Sequence, residues 1–190
     1  MALAPSPSTP HDDLLLVFDI APVGLLVSRN RVIQSYNQAF CDIYGYGPEA
    51  LRGESFERIY PSRQEFDHTG ERAYVAMRET GAYADDRIMR KADGQLFWCH
   101  VSGRATDRAN PFEVAVWVFE DISSARPVTT ELTPREREIA QFLVNGKSSK
   151  QIALELGTGF RTVESHRARL MRKFGVSSSS ELIAKLVGRP

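Results

Sequence analysis

Two hydrophobic periods run along this chain, and the change from one to the other divides it in two. In the front part, "DDLLLVFDIA" predicts a short helix with an acidic start, and "GLLVSRNRVIQSYN" predicts two strands around a polar turn at residues 29–31. "NQAFCDIYGYGPEALRG" predicts short helical turns punctuated by Gly45, Gly47, Pro48 and Gly53. In "RQEFDHTGERAYVAMRETG", Phe66, Ala73 and Met77 recur at helical spacing, and Gly81 supplies a stop. Three strand-like runs follow, "YADDRIMRKA", "QLFWCHVSGRA" and "FEVAVWVFEDI", with Asp93 and Gly94 marking a hairpin between the first two. Strands, then helices, then strands predict an α+β module with helices flanking an antiparallel sheet.

After "SSARPVTTE", a linker by composition with Pro127 inside it, the period becomes helical throughout. Thr133, Pro134 and Glu136 form a helix start with a capping box, followed by the apolar stripe Ile139, Phe142, Leu143 and a stop at Asn145 and Gly146. A serine-capped second helix carries Ile152, Ala153 and Leu156, and Gly157 makes a turn. A third helix, about Phe160 to Phe174, turns Val163, Leu170 and Phe174 inward and Arg161, Glu164, Ser165, Ala168 and Arg172 outward. The last helix carries Leu182, Ile183, Leu186 and Val187. The expected division is a disordered tail at 1–11, the α+β module at 12–125, a linker at 126–131 and an all-α four-helix module at 132–190.

Charge sharpens that division. The chain of 190 residues is neutral overall. Residues 1–130 hold 13 Lys/Arg against 18 Asp/Glu, a balance of −5, and residues 131–190 hold 11 against 6, a balance of +5. An acidic front and a basic back predict different partners. Cys41 and Cys99 make neither a disulfide framework nor a metal cluster, which fits a reduced, cytoplasmic setting. The N-terminus lacks the cationic start and apolar core of a signal peptide. The apolar run "LLLVFDIAPVGLLV" is broken by Asp19 and Pro22 and falls short of the roughly 20 residues of a membrane span.

In the front module "FDIAPVGLLV", "NQAFCDIYGY", "EALRGESF", "RKADGQLFWCHV" and "VFEDIS" stand in the order of the PAS domain family, which this module resembles over about residues 12–125. The resemblance implies a sensory and dimerising domain whose sheet and helices enclose a ligand pocket. Flavin photosensors of the family carry a reactive cysteine where this chain has Phe56, so adduct photochemistry is not expected. Haem-binding members use a histidine on the long helix. His68 is the one candidate, and it reads more simply as an exposed histidine beside Asp67. The cofactor is therefore left unassigned. Phe97, Trp98, Trp117 and Phe119 are either the lining of a pocket for a small apolar ligand or ordinary packing, and packing is favoured.

The back module resembles the LuxR-type helix-turn-helix, in particular its FixJ/NarL branch, over residues 132–187. Leu132, Thr133, Arg135 and Glu136, Gly146 and Lys147, Leu156 and Gly157, Thr162, Val163 and His166, and Lys173 to Gly175 carry the match. Gly159 stands where the family usually has a serine cap. The resemblance implies that the third helix enters the major groove of double-stranded DNA. Glu164, Ser165, Ala168, Arg169 and Arg172 are then expected at base edges, and Lys150, Arg161, Thr162, Arg167 and Lys173 at phosphates. It also implies a homodimer, through the front module, through Leu182, Ile183 and Leu186 of the last helix, or both. The chain accordingly reads as a one-component transcriptional regulator. The alternative is an adaptor whose helix-turn-helix contacts protein. No phosphate-cradling loop, nucleophile-and-base set or metal spacing points to an enzyme.

Overall fold

The computed structural model describes residues 9–124 and 132–187; the expected tail up to residue 8 and linker at 126–131 lie outside the described residues. Helix α1 (Pro10–Ile20) starts earlier than the sequence suggested, because the Thr9 side chain accepts from the Asp12 backbone and Asp12 caps in return. Strands β1 (Gly24–Arg29) and β2 (Val32–Tyr36) follow, then α2 (Gln38–Tyr44), a short 3-10 turn (Phe56–Ile59) and the long helix α3 (Arg63–Thr80). Strands β3 (Ala82–Arg90), β4 (Leu96–Ala105) and β5 (Ala115–Asp121) complete an antiparallel sheet of order β2-β1-β5-β4-β3. The predicted α+β architecture is thus present, with the helices on one face of the sheet.

The β1–β2 turn places Asn30 and Arg31 at φ of 50° and 62°. Arginine enters this left-handed region only when something holds it there. Here the Arg31 guanidinium lies 3.4 Å from the Phe66 ring centroid and donates to the Phe66 carbonyl at 2.6 Å, so the turn is fastened to α3.

The core of the front module is a set of interlocked rings. Phe40 stacks on Tyr44 at 4.4 Å, Tyr44 meets Phe97 edge-on at 5.2 Å, and Phe56 meets Trp117 at 5.6 Å. Phe97, Trp117 and Phe119 therefore pack as core. Trp98 does not share their face: strand alternation sends it to the other side of the sheet, outside this cluster, where it is buried next to its cross-strand partner Ile88. All four are packed, as favoured, and the alternative of one pocket lined by all four fails because Trp98 faces the other way. Gly103 lies against Trp117, and an added Cβ would strike the indole ring. Gly103→Ala is expected to lower stability by about 1–3 kcal/mol, the usual cost of overpacking, read as a lower urea midpoint with unchanged slope.

Helices α4 (Pro134–Val144), α5 (Ser149–Glu155), α6 (Phe160–Phe174) and α7 (Ser179–Leu186) form the second module around Ile139, Leu143, Ile152, Val163, Leu170 and Leu182. The capping expectations hold at Thr133 and Ser148, each part of a reciprocal box. Gly159 caps α6 without a side-chain hydrogen bond, and Gly175, at φ 65°, ends it. No helix among the described residues is long and apolar enough to cross a membrane.

Candidate nucleic-acid interface

Helix α6 is amphipathic. Val163 and Leu170 are buried and Phe174 is partly buried against the module core, which fixes the rotation of the helix. That rotation leaves Arg161, Glu164, Ser165, Ala168 and Arg172 exposed along one side, with Arg169 beside them. Thr162 and, on α5, Lys150 are exposed as well. Arg169 and Arg172 are basic forks of the kind that match base edges and phosphates. Glu164 is not isolated: its carboxylate pairs with Arg167 at 3.1 Å and is still 45% exposed.

Two of the residues expected at phosphates are engaged elsewhere. Arg167 points inward, donating to the hydroxyls of Ser149 and Ser179, the latter at 2.5 Å, and is 18% exposed. It ties α5, α6 and α7 together, so its expected phosphate contact is corrected to a structural one. Lys173 donates to Glu136 at 2.6 Å, bracing the end of α6 against the start of α4. Its charge is matched by Glu136 here, so the phosphate contact expected of it requires that pair to open. Two of the three dimerisation candidates fail on burial. Leu182 and Leu186 belong to the core of their own module, 0% and 3% exposed, and only Ile183 is partly open. The sequence pattern registers an apolar stripe without showing whether the cover is intramolecular.

Burial pushes the Glu136 carboxyl up, but hydrogen bonds from Lys173 and Thr133 outweigh it and leave the group below its ordinary value. A carboxylate depressed in the folded state stabilises the fold above its unfolded value, here 4.5, and that contribution disappears as pH falls through the folded value. Thermal melts from pH 5 down to 3 should therefore show a steeper acid loss in the wild type than in Glu136→Gln. His166 is lowered from 6.5 by burial and by the neighbouring Arg169 and Arg135, which favours the neutral ring inside the basic module.

In the front module, Cys99 is fully buried, and burial pushes its thiol up to about 12, so it is an inert core residue. Cys41 is buried as well. The expected exposure of His68 is corrected: its Nδ1 lies 2.5 Å from the Glu138 carboxylate of α4, and the ring is 34% exposed. His100 pairs with Asp86 at 2.6 Å. Among the described residues no group of three or more His, Cys, Asp or Glu is arranged to hold a metal ion. A cleft of about 730 Å³ opens between the modules, bordered by Arg72, Val75, Tyr83, Phe142, Asn145 and Lys147.

Sequence reasoning missed two features. The first is α1, whose Leu14, Leu15, Leu16, Val17 and Ile20 are each more than half exposed; the apolar run was visible, its lack of cover was not. The second is Arg137, which makes a two-pronged bond to Glu65 of α3, 2.6 Å at the shortest, with both side chains buried. Nothing local in the sequence marks it for burial.

The family model for bacterial regulatory proteins of the luxR family matches residues 130–186, and that for the PAS domain matches residues 22–124. The PAS domain of a LuxR-family transcriptional regulator from Burkholderia thailandensis, solved in complex with ethanol, is 50% identical. It superposes with a TM-score of 0.56 over 57% of this chain and 96% of that one. The VqmA dimer of Vibrio cholerae in the absence of its target DNA shares the fold of both modules, covering 93% of this chain and 87% of that one at a TM-score of 0.55 and 24% identity. The transcriptional regulatory protein UhpA of Escherichia coli is 49% identical over 55 residues, 29% of this chain and 28% of that protein. The chain spans 21%, 28% and 44% of the length of three curated relatives that it matches.

Proposed function

We propose that this chain, which belongs to the PAS-domain family and carries a luxR-family module behind it, is a cytoplasmic one-component transcriptional regulator that reads double-stranded DNA as a homodimer. The observation that carries the reading is the open face of α6. Arg161, Glu164, Ser165, Ala168 and Arg172 stand clear of the fold, while Val163 and Leu170 anchor the helix from behind. Glu164, Ser165, Ala168, Arg169 and Arg172 meet base edges, and Lys150, Arg161 and Thr162 meet phosphates. The proposed division is a sensory module at 12–125, a linker at 126–131 and a DNA-reading module at 132–190.

Duplexes selected from a random pool by the full chain test this reading. Arg161→Ala should weaken binding to all of them alike, and Arg172→Ala should weaken it most on the preferred sequence. Binding that is indifferent to both substitutions would leave the module without a DNA role and favour a protein-docking adaptor. Glu164 gives a sharper outcome. A carboxylate accepts from cytosine N4 and repels phosphate, so Glu164→Ala should relax one base position, by up to about tenfold in preference, more than it lowers affinity. Unchanged preferences would reduce Glu164 to the ion-pair partner of Arg167.

The dimer is formed by the front module, and the uncovered leucines of α1 support that assignment. Leu15→Glu should shift the chain toward monomer in sedimentation and weaken binding to a two-half-site duplex without affecting a single half-site. A Leu15→Glu variant that still sediments as a dimer would move the interface elsewhere.

A further inference from the structure

Helix α4 is covered on two sides, and the second cover is the sensory module. Every residue from 136 to 143 is buried. A helix on the edge of a small bundle ordinarily leaves its polar stripe in water. Here that stripe meets α3 and β3. On α3, Glu65, His68 and Arg72 recur at i, i+3 and i+7 and so line one side of the helix. Glu65 receives both prongs of Arg137, at 2.6 and 3.2 Å, and His68 Nδ1 lies 2.5 Å from Glu138. The Arg72 guanidinium lies 4.6 Å from the centroid of Phe142. At the far end, the Asn145 carboxamide donates to the Asp86 carbonyl at 2.9 Å and accepts from the Asp86 backbone at 3.3 Å, capturing the β3 edge.

Such a contact is specific yet separable. It is built from charges and directed hydrogen bonds, which lock one geometry, whereas an apolar interface would permit sliding. Glu65 and Arg137 are both buried, 3% and 9% exposed at the side chain, so removing one leaves the other charged in a poorly solvated place. None of these residues lies on the open face of α6, which stays exposed while the modules are docked. Docking therefore fixes where the face points and does not cover it.

We infer that Glu65 and Arg137 form a positioning pair through which the sensory module sets the orientation and separation of the two reading helices in the dimer. The inference rests on the DNA-reading function proposed above. Movement of α3 in the sensory module is transmitted to α4, and through the α4–α6 packing to the reading face. Half-sites must then match the spacing that the docked geometry imposes. The signal is thus expressed as a choice among operator spacings as well as in affinity.

Glu65→Gln in the full chain is the test. It keeps the volume and an acceptor for the Ser62 hydroxyl that caps α3, while it removes the charge and turns one of the two oxygens that accept from Arg137 into an N–H donor. Duplexes with one half-site, and with two at a series of spacings, are compared alongside amide hydrogen exchange in α4. The expected result is faster exchange on α4, unchanged binding to one half-site and about a tenfold loss of preference among spacings. The double variant Glu65→Met, Arg137→Met leaves no unpaired charge and should return much of the preference. Unchanged α4 exchange in Glu65→Gln would overturn the docking role of the pair. Faster exchange with the spacing preference intact would overturn its positioning role. A wild-type chain that binds no selected duplex would remove the DNA-reading function itself, and the positioning role with it, while the exchange data would still report whether the pair docks the modules.

Discussion

Asn37→Ala is expected to destabilise the sensory module by about 3–5 kcal/mol, because four strong hydrogen bonds of one buried carboxamide are lost together. The Asn37 oxygen accepts from the Leu25 backbone at 2.8 Å and from the Phe40 backbone at 3.0 Å. Its nitrogen donates to the carbonyls of Phe18 and Val23, each at 3.0 Å. One side chain, 1% exposed, thus caps α2, fixes the start of β1 and holds the end of α1. Alanine strands two donors and two acceptors, one bond fully buried and three partly buried, each costing roughly 1–3 kcal/mol before relaxation. Against the 5–15 kcal/mol that typically holds a domain together, this is a large fraction. The chain's two tryptophans, Trp98 and Trp117, both lie in this module, so their fluorescence in a urea titration reports its unfolding separately from the DNA-reading module. A loss below about 1 kcal/mol would show that water replaces the carboxamide and that α1 is not fastened through Asn37.

The second large effect concerns salt. Each chain leaves Lys150, Arg161, Arg169 and Arg172 exposed on or beside the reading face. If a dimer neutralises about six phosphates with them, affinity for a two-half-site duplex should fall roughly a thousandfold between 50 and 200 mM salt, with a log–log slope near −5. Arg161→Ala should flatten that slope by about 2 in the dimer, one unit per chain. Lys173→Ala should leave the slope almost unchanged, because its ammonium is already matched by Glu136. A flat salt response in the wild type would contradict a DNA-reading function altogether, whereas an equal change in both variants would show that Lys173 leaves Glu136 on binding.

What the chain by itself determined is local. The capping box at Thr133, the serine cap at Ser148, the stop at Asn145 and Gly146 and the inward Val163 and Leu170 were legible because capping and helical periodicity act within a few residues. The strands of the front module and the Asp93, Gly94 hairpin were legible for the same reason, and the charge step between the modules needed only counting. The exposed face of α6 followed from its apolar back.

What only the tertiary structure decided is which partner stands opposite a given side chain. Arg167 and Lys173 look like phosphate ligands in a basic run, yet Ser149, Ser179 and Glu136 arrive from other helices to hold them. Leu182 and Leu186 look like a dimer seam until their own core closes over them, while the leucines of α1, which look like core, remain uncovered. The polar stripe of α4 carries no local sign of burial, since Glu65 lies 72 positions from Arg137 in the chain and meets it only when two modules dock. A short-range pattern states what a residue offers. The long-range fold supplies what it meets, and burial, charge pairing and docking are properties of the meeting.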